Sequence, residues 1–167
     1  MPKFLIIRGY SCSGKTTISR QLAKECRFAL LEYDFFHFRL IRYKDYAAKE
    51  HKIIFKTVLD CIRNCMKYKK NIILEGALAP IDKGDPFQIK KIINLAKRHN
   101  YKIINVLFTV DRKVARKRMK IRKNFLSNKL YDKLVNKIKS IKMKDELVID
   151  TTKVSIKSLV RKLKKLL

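Results

Sequence analysis

Between Lys3 and Arg8 every position is apolar, the pattern of a strand buried on both faces. Apolar positions then recur at Ile18, Leu22 and Cys26, one face of a helix over 14–26. Residues 28–33 read as a second strand, ending at Asp34. A long helix is predicted over 45–70, where Ile54, Val58, Ile62, Cys65 and Met66 recur at intervals of three and four. Residues 71–74 form a third strand, closed by Glu75-Gly76. The stretch APIDKGDP holds the remaining glycine and two of the three prolines and reads as a loop. A helix over 87–100 and a strand over 102–110 follow, the strand ending at Asp111. Helical patterns fill 112–124 and 129–144. A short strand over 146–150 precedes a last amphipathic helix over 155–167, with Leu159, Val160 and Leu163 inward. There is no internal repeat and no composition shift that marks a boundary. Strand–helix alternation of this kind predicts one α/β domain, a five-stranded parallel sheet with helices on both faces.

The chemistry begins in the turn after the first strand. Gly9-Tyr-Ser-Cys-Ser-Gly14-Lys15-Thr16 has the form GxxxxGK[ST], between a buried strand and a helix, which is the context a phosphate-binding P-loop requires. Two glycines let the backbone bend so that successive N–H groups converge on phosphate oxygens. The N-terminus of the following helix adds partial positive charge at the same point. Gly9, Ser11, Ser13, Gly14, Lys15, Thr16 and Thr17 are therefore the expected nucleotide-binding residues. Lys15 reaches the β- and γ-phosphates, and the Thr16 hydroxyl ligates Mg²⁺. ATP with Mg²⁺ is the expected cofactor pair. No NKxD-type guanine reader is present, since NKLYD (128–132) has the wrong spacing. An AAA+ or motor ATPase would normally be longer and would end its third strand in a pair of acids, whereas NIILEG carries Glu75 alone. The size suits a small kinase.

Composition adds constraints and one question. Apolar residues make up 47% of 167, enough for one sizeable core, and no run approaches the ~20 residues of a membrane span. The N-terminus lacks the apolar stretch of a signal peptide, so a cytoplasmic protein without a membrane partner is expected. Cys12, Cys26, Cys61 and Cys65 form no CxxC and have no histidine at ligand spacing, which argues against zinc. Cys61 and Cys65 read as buried free thiols. The charge is the question: 42 Lys+Arg face 14 Asp+Glu, a formal +28. Between Arg112 and Lys144 fourteen basic residues face Asp132 alone, a local 14 − 1 = +13. Solvated helix faces of a lysine-rich chain explain many lysines but not the shortage of acids. An anionic macromolecular partner is the other reading.

The ordered set IIRGYSCSGKTTISRQLAK, LLEYDFF, IILEG, VLFTVDRKVARKRMKIR and LVIDTTKVSIKSLVRKL resembles the small P-loop kinases, the group of polynucleotide kinases, zeta toxins, chloramphenicol phosphotransferase and adenylylsulfate kinase. The resemblance spans nearly the whole chain. It implies that Asp34, just after the second strand, is the general base on the acceptor hydroxyl. It implies a lid over 112–144 whose Arg118 and Arg122 clamp the transferring phosphates, and it puts Asp150-Thr151 near the adenine. The residues carry arguments of their own. A carboxylate at the end of the second strand shares the P-loop's sheet edge, where open α/β sheets bind ligands, although Asp34 could equally cap the turn before FFHFR. Arg118 and Arg122 are i,i+4 and share a helix face, from which Arg116 is turned away. Glu75 either holds the metal and orients the acceptor or is simply the polar end of a buried strand. Arg39 is a candidate substrate contact, five residues beyond Asp34, farther than the polynucleotide kinases place theirs. His37 reads equally as a surface residue.

Three functions stay open on the sequence: a kinase acting on a nucleic-acid 5′ end (RNA or DNA) or a nucleotide, a small-molecule kinase for a nucleoside, antibiotic or sugar nucleotide, and an RNA-binding ATPase regulator. Self-repulsion among the lid cations is expected to hold the lid open until a triphosphate arrives.

Overall fold

The computed structural model describes residues 1–40, 48–79, 89–122 and 126–167, and all their side chains except those of 37–40 and 48–51. The five strands are β1 (Lys3–Gly9), β2 (Ala29–Glu32), β3 (Ile72–Gly76), β4 (Lys102–Thr109) and β5 (Leu147–Asp150). They form one sheet of order β2-β3-β1-β4-β5, parallel throughout. The helices are α1 (Lys15–Cys26), α2 (Tyr33–Leu40), α3 (Ala48–Lys67), α4 (Ile89–Arg98), α5 (Arg112–Ile121), α6 (Asn128–Ser140) and α7 (Ile156–Lys164). The expected five-stranded parallel sheet is the observed one.

The central strand explains the layering. Successive side chains of β1 point to opposite faces. Phe4 and Ile6 join Ile72, Leu74 and the apolar stripes of α3 and α4. Leu5 and Ile7 join Val106, Phe108, Ile18 and Leu22 of α1, and Leu159, Val160 and Leu163 of α7. Phe4 to Ile7 are all completely buried. A third cluster of Tyr10, Leu107, Val110, Ala115, Met119, Tyr131 and Ile138 seats α5 and α6 against the carboxyl edge of the sheet.

Two boundaries differ from the sequence reading. The second strand stops at Glu32, and Tyr33 and Asp34 open α2, a helix that the run of aromatic residues disguised as continued strand. The helices read over 112–124 and 129–144 are α5, which ends at Ile121, and α6, which ends at Ser140 rather than 144, with Ser127 capping α6 through a bond from Leu130 N. Residues 45–47 and 87–88 of the predicted helices, and all of the PIDKGDP loop, lie outside the described residues.

A charged residue inside the apolar strand is the main structural surprise. Arg8 is 1% exposed. Its guanidinium meets Glu146 at 2.6 Å through both Nε and Nη2, and donates to the carbonyls of Ile138 (2.8 Å) and Ile141 (2.5 Å). A buried cation is tolerable only when paired and fully hydrogen-bonded, and these four contacts meet that condition. They tie the end of α6 to the central strand. Within the 112–144 unit expected as a lid, α6 is held through Arg8 and through Tyr131 and Ile138 in the third cluster.

Candidate functional site

The phosphate loop is shaped by two glycines for different reasons. At Gly9 (φ 151°) a Cβ would stand 2.1 Å from the Phe108 carbonyl oxygen, so only glycine lets the loop leave the sheet there. Gly14 has room for a side chain, with Ile18 Cδ1 at 3.7 Å, but its φ of 89° is one that side chains disfavour. Gly14 is also the N-cap of α1, and no side chain caps that end. By contrast α5, α6 and α7 have their first N–H groups satisfied by Asp111, Ser127 and Ser155. The uncapped end beside the loop suits an anion, which would supply the missing acceptors. Ser13 Oγ, buried and without a partner among the described residues, is a further polar atom that a phosphate or its sugar would satisfy. Lys15 is buried and its Nζ donates to the Tyr10 carbonyl at 3.0 Å, which aligns the ammonium along the loop.

Three acids end neighbouring elements at the same sheet edge. Glu32 closes β2 and is in register with Glu75 of β3. Asp34 is in the first turn of α2, where a carboxylate favours the helix dipole, and a Cβ at Gly76 would lie 3.4 Å from its Oδ1. The Thr16 hydroxyl donates to Glu75 Oε1 at 3.2 Å. Burial is the largest influence on Glu75 and raises its pKa to about 7; Lys15 pulls it down, while Asp34 and Glu32 push it up. A hydroxyl and a carboxylate oxygen in contact are the hard oxygen donors that Mg²⁺ takes, with phosphates and water completing its shell. Thr16 and Glu75 fit that ion. Among the described residues no group of three or more His, Cys, Asp or Glu forms a cage for a metal.

Thr16, Glu32 and Asp34 line one cleft of about 320 Å³, with Glu75 buried behind Thr16. Lys15, Thr16, Asp34 and Arg122, expected from the sequence, meet there with Ser11, as do Arg20, Glu32 and Phe35, which the sequence reading passed over. Arg20 holds Glu32 through bonds of 2.6 and 2.8 Å. The signal for Glu32 was present, since two neighbouring parallel strands each end in glutamate.

The two lid arginines separate. Arg118 donates to the carbonyls of Cys12 (3.1 Å) and Thr151 (3.0 Å), bridging the phosphate loop to the turn after β5. It lines a second cavity of about 150 Å³ with Gly14, Thr17, Thr151, Val154 and Ile156. Arg122 lines both cavities. The Thr151 hydroxyl is spent on the Thr109 carbonyl at 2.9 Å, so at this cavity Thr151 offers its shape and backbone. Asp150 accepts from Thr152 N at 2.9 Å, and the Thr152 hydroxyl in turn accepts from Asp111 N at 2.9 Å, linking this turn to the start of α5. Arg116 points away, its guanidinium 5.2 Å from the Tyr131 ring centre and bonded to the Leu126 carbonyl. The side chain of Arg39, like that of His37, lies outside the described residues. A groove of about 710 Å³ between α1 and α7 contains none of the expected site residues.

The family model described as "AAA domain" matches residues 4–129, and the chain belongs to that family. The name is the one that the size and strand-end argument set aside, while β3 carries Glu75 as its lone acid, next to its last residue Gly76. No curated protein matches the chain. Among solved structures, a protein of Chloroflexus aurantiacus is similar with TM-score 0.75 and 18% identity over 98% of this chain and 94% of that one. A sugar kinase of a Janibacter species gives 0.70 and 15% over 99% and 94%. The YorR protein of Bacillus subtilis, solved in complex with phosphorylated GDP, gives 0.69 and 14% over 98% and 95%. At these identities the likeness is one of fold.

Proposed function

We propose that this chain is a Mg·ATP-dependent kinase that transfers the γ-phosphate of ATP to a hydroxyl group. The observation that carries the reading is the single cleft in which Lys15, Thr16, Asp34 and Arg122 meet. In this reading the phosphate loop and the N-terminus of α1 hold the triphosphate, and Lys15 leaves the Tyr10 carbonyl for the phosphate oxygens. Thr16 and Glu75 hold Mg²⁺, which when bound shields phosphate charge from the attacking oxygen. Asp34 accepts the proton of the acceptor hydroxyl as its oxygen bonds to the γ-phosphorus and the bond to ADP breaks. Arg122 neutralises the charge that spreads over the transferring group. The smaller cavity, walled by Arg118, Val154 and Ile156, takes the adenine.

The finer reading is that the acceptor is a nucleic-acid 5′ end or a nucleotide. The support is the +28 charge, Arg122 in the cleft wall, and the density of cations on the neighbouring α5. A small-molecule acceptor is favoured by a different observation, a cleft of only about 320 Å³. Competition decides between them. Labelled γ-phosphate should move from ATP onto a 5′-hydroxyl oligonucleotide in preference to matched nucleosides and sugars. Labelling of a small alcohol alone would reject the nucleic-acid reading and keep the kinase.

A further inference from the structure

Helix α5 sorts its side chains into three stripes. At 100° per residue, Arg118 and Arg122 fall together toward the phosphate loop. Ala115 and Met119 fall next to them and are buried in the third cluster. Arg112, Lys113, Arg116, Lys117 and Lys120 form the third stripe, with Ile121 and Val114 between it and the arginine pair. With Asn128 at the start of α6 they line an outward groove of about 470 Å³, separate from the cleft.

Nothing in the proposed catalysis uses this stripe, and its electrostatics are unfavourable as built. Arg112/Arg116, Lys113/Lys117 and Arg116/Lys120 are like-charge i,i+4 pairs, which destabilise a helix. α5 contains no acid; Asp132, from α6, pairs with Arg112 at 2.7 Å. Arg116 Nε and Nη2 are buried without a hydrogen-bond partner among the described residues. Five cations with one salt-bridge partner among the described residues make a site that an extended anion would relieve. Lys113 and Lys120 are separated by seven residues, about 10 Å of helix rise, so one compact phosphate cannot satisfy the row. A chain of phosphates can.

We propose that the outward stripe of α5 is a binding site for the phosphodiester backbone of a single-stranded nucleic acid. This deepens the acceptor reading above and rests on it for the choice of ligand. Leu126 connects the two regions, since it lines the cleft and its carbonyl receives Arg116. A strand whose 5′ end enters the cleft would lie with its following phosphates along the stripe.

The test separates binding from transfer. A fluorescent 5′-hydroxyl single-stranded 12-mer is titrated by anisotropy at 50 and 200 mM salt. The proteins are the wild type and two triple variants, Lys113→Glu/Lys117→Glu/Lys120→Glu and Lys113→Gln/Lys117→Gln/Lys120→Gln. None of these lysines is in the proposed catalytic or nucleotide-binding set, so thermal stabilisation by Mg·ATP should match wild type in both variants and shows that they fold. The Glu variant should bind the 12-mer at least tenfold more weakly at 50 mM salt. The Gln variant should fall between, with its salt slope shallower by about two, since each phosphate contact contributes about −0.7 on a single strand. Binding within twofold of wild type by both variants overturns the site, as does failure of the wild type to bind. Vesicles of phosphatidylcholine with one-fifth phosphatidylserine form the second arm, and loss of vesicle binding with oligonucleotide binding retained would assign the stripe to a membrane instead and overturn the proposal. If phosphoryl transfer to any hydroxyl is absent while the lysines still govern oligonucleotide binding, the kinase reading fails and this one stands.

Discussion

Glu75 is a carboxyl group that burial holds near its titration midpoint at neutral pH, about 7 against an ordinary 4.5. Because the folded state binds this proton more tightly than the unfolded chain, its contribution to stability is full below about 4.5 and is lost as pH rises through about 7. The difference corresponds to about 3 kcal/mol. Glu75→Gln keeps the shape and removes the titration, so the fall in melting temperature between pH 5 and 8 should be smaller in the variant; thermal denaturation of nucleotide-free protein at several pH values checks this. Lys15→Ala tests the loop itself. Saturating Mg·ATP should raise the wild-type melting temperature by roughly 5–10 °C, while the variant, folded as before, should gain little. Asp34→Asn preserves shape but makes a far poorer proton acceptor. Its kcat should drop about 10²–10⁴-fold with ATP affinity nearly unchanged, as read from steady-state kinetics beside a nucleotide-binding titration. A variant of full activity would make Asp34 only a first-turn residue of α2.

At the scale of elements, the strands and most helices were legible because burial imposes their period directly. β1 between Lys3 and Arg8 is apolar because both its faces are covered, and α1 repeats its apolar residues every three or four. α2 was not legible: its aromatic residues carry no helical stripe, and its first turn continues the sequence of β2 without punctuation. Arg8 was visible as a letter and missed as a structure, since its partner Glu146 is 138 positions away. A buried charge inside an apolar strand does announce that a partner must exist, and Glu146 is one of the few acids in the basic C-terminal half. Removing Arg8 leaves the Glu146 carboxylate buried without its cation and takes a donor from the Ile138 and Ile141 carbonyls, so Arg8→Met should cost about 3–5 kcal/mol, measurable by urea denaturation. The i,i+4 spacing of Arg118 and Arg122 gives a shared face, and both line the smaller cavity, but it does not give each side chain's own partners. Arg118 is engaged by two carbonyls while Arg122 lines the large cleft.

For the molecule as a whole, the parallel sheet brings the ends of β1, β2 and β3 to one edge, so residues distant in sequence converge on one cleft. That convergence was inferable from topology, because the carboxyl ends of parallel strands always share an edge. The separation of the cations was not, because +28 is a sum that says nothing of direction; only the helix rotation divides α5 into an inward pair and an outward five. No described helix is long and apolar enough to cross a membrane. The destination of the γ-phosphate distinguishes a kinase from an ATPase. With Mg²⁺ and γ-labelled ATP, the label should be counted on added hydroxyl acceptors and as free phosphate, against ADP formed. The account predicts that an acceptor accelerates ADP formation and that the label is recovered on its hydroxyl, one per ADP. Label released only as free phosphate, at a rate that no acceptor changes, would contradict it.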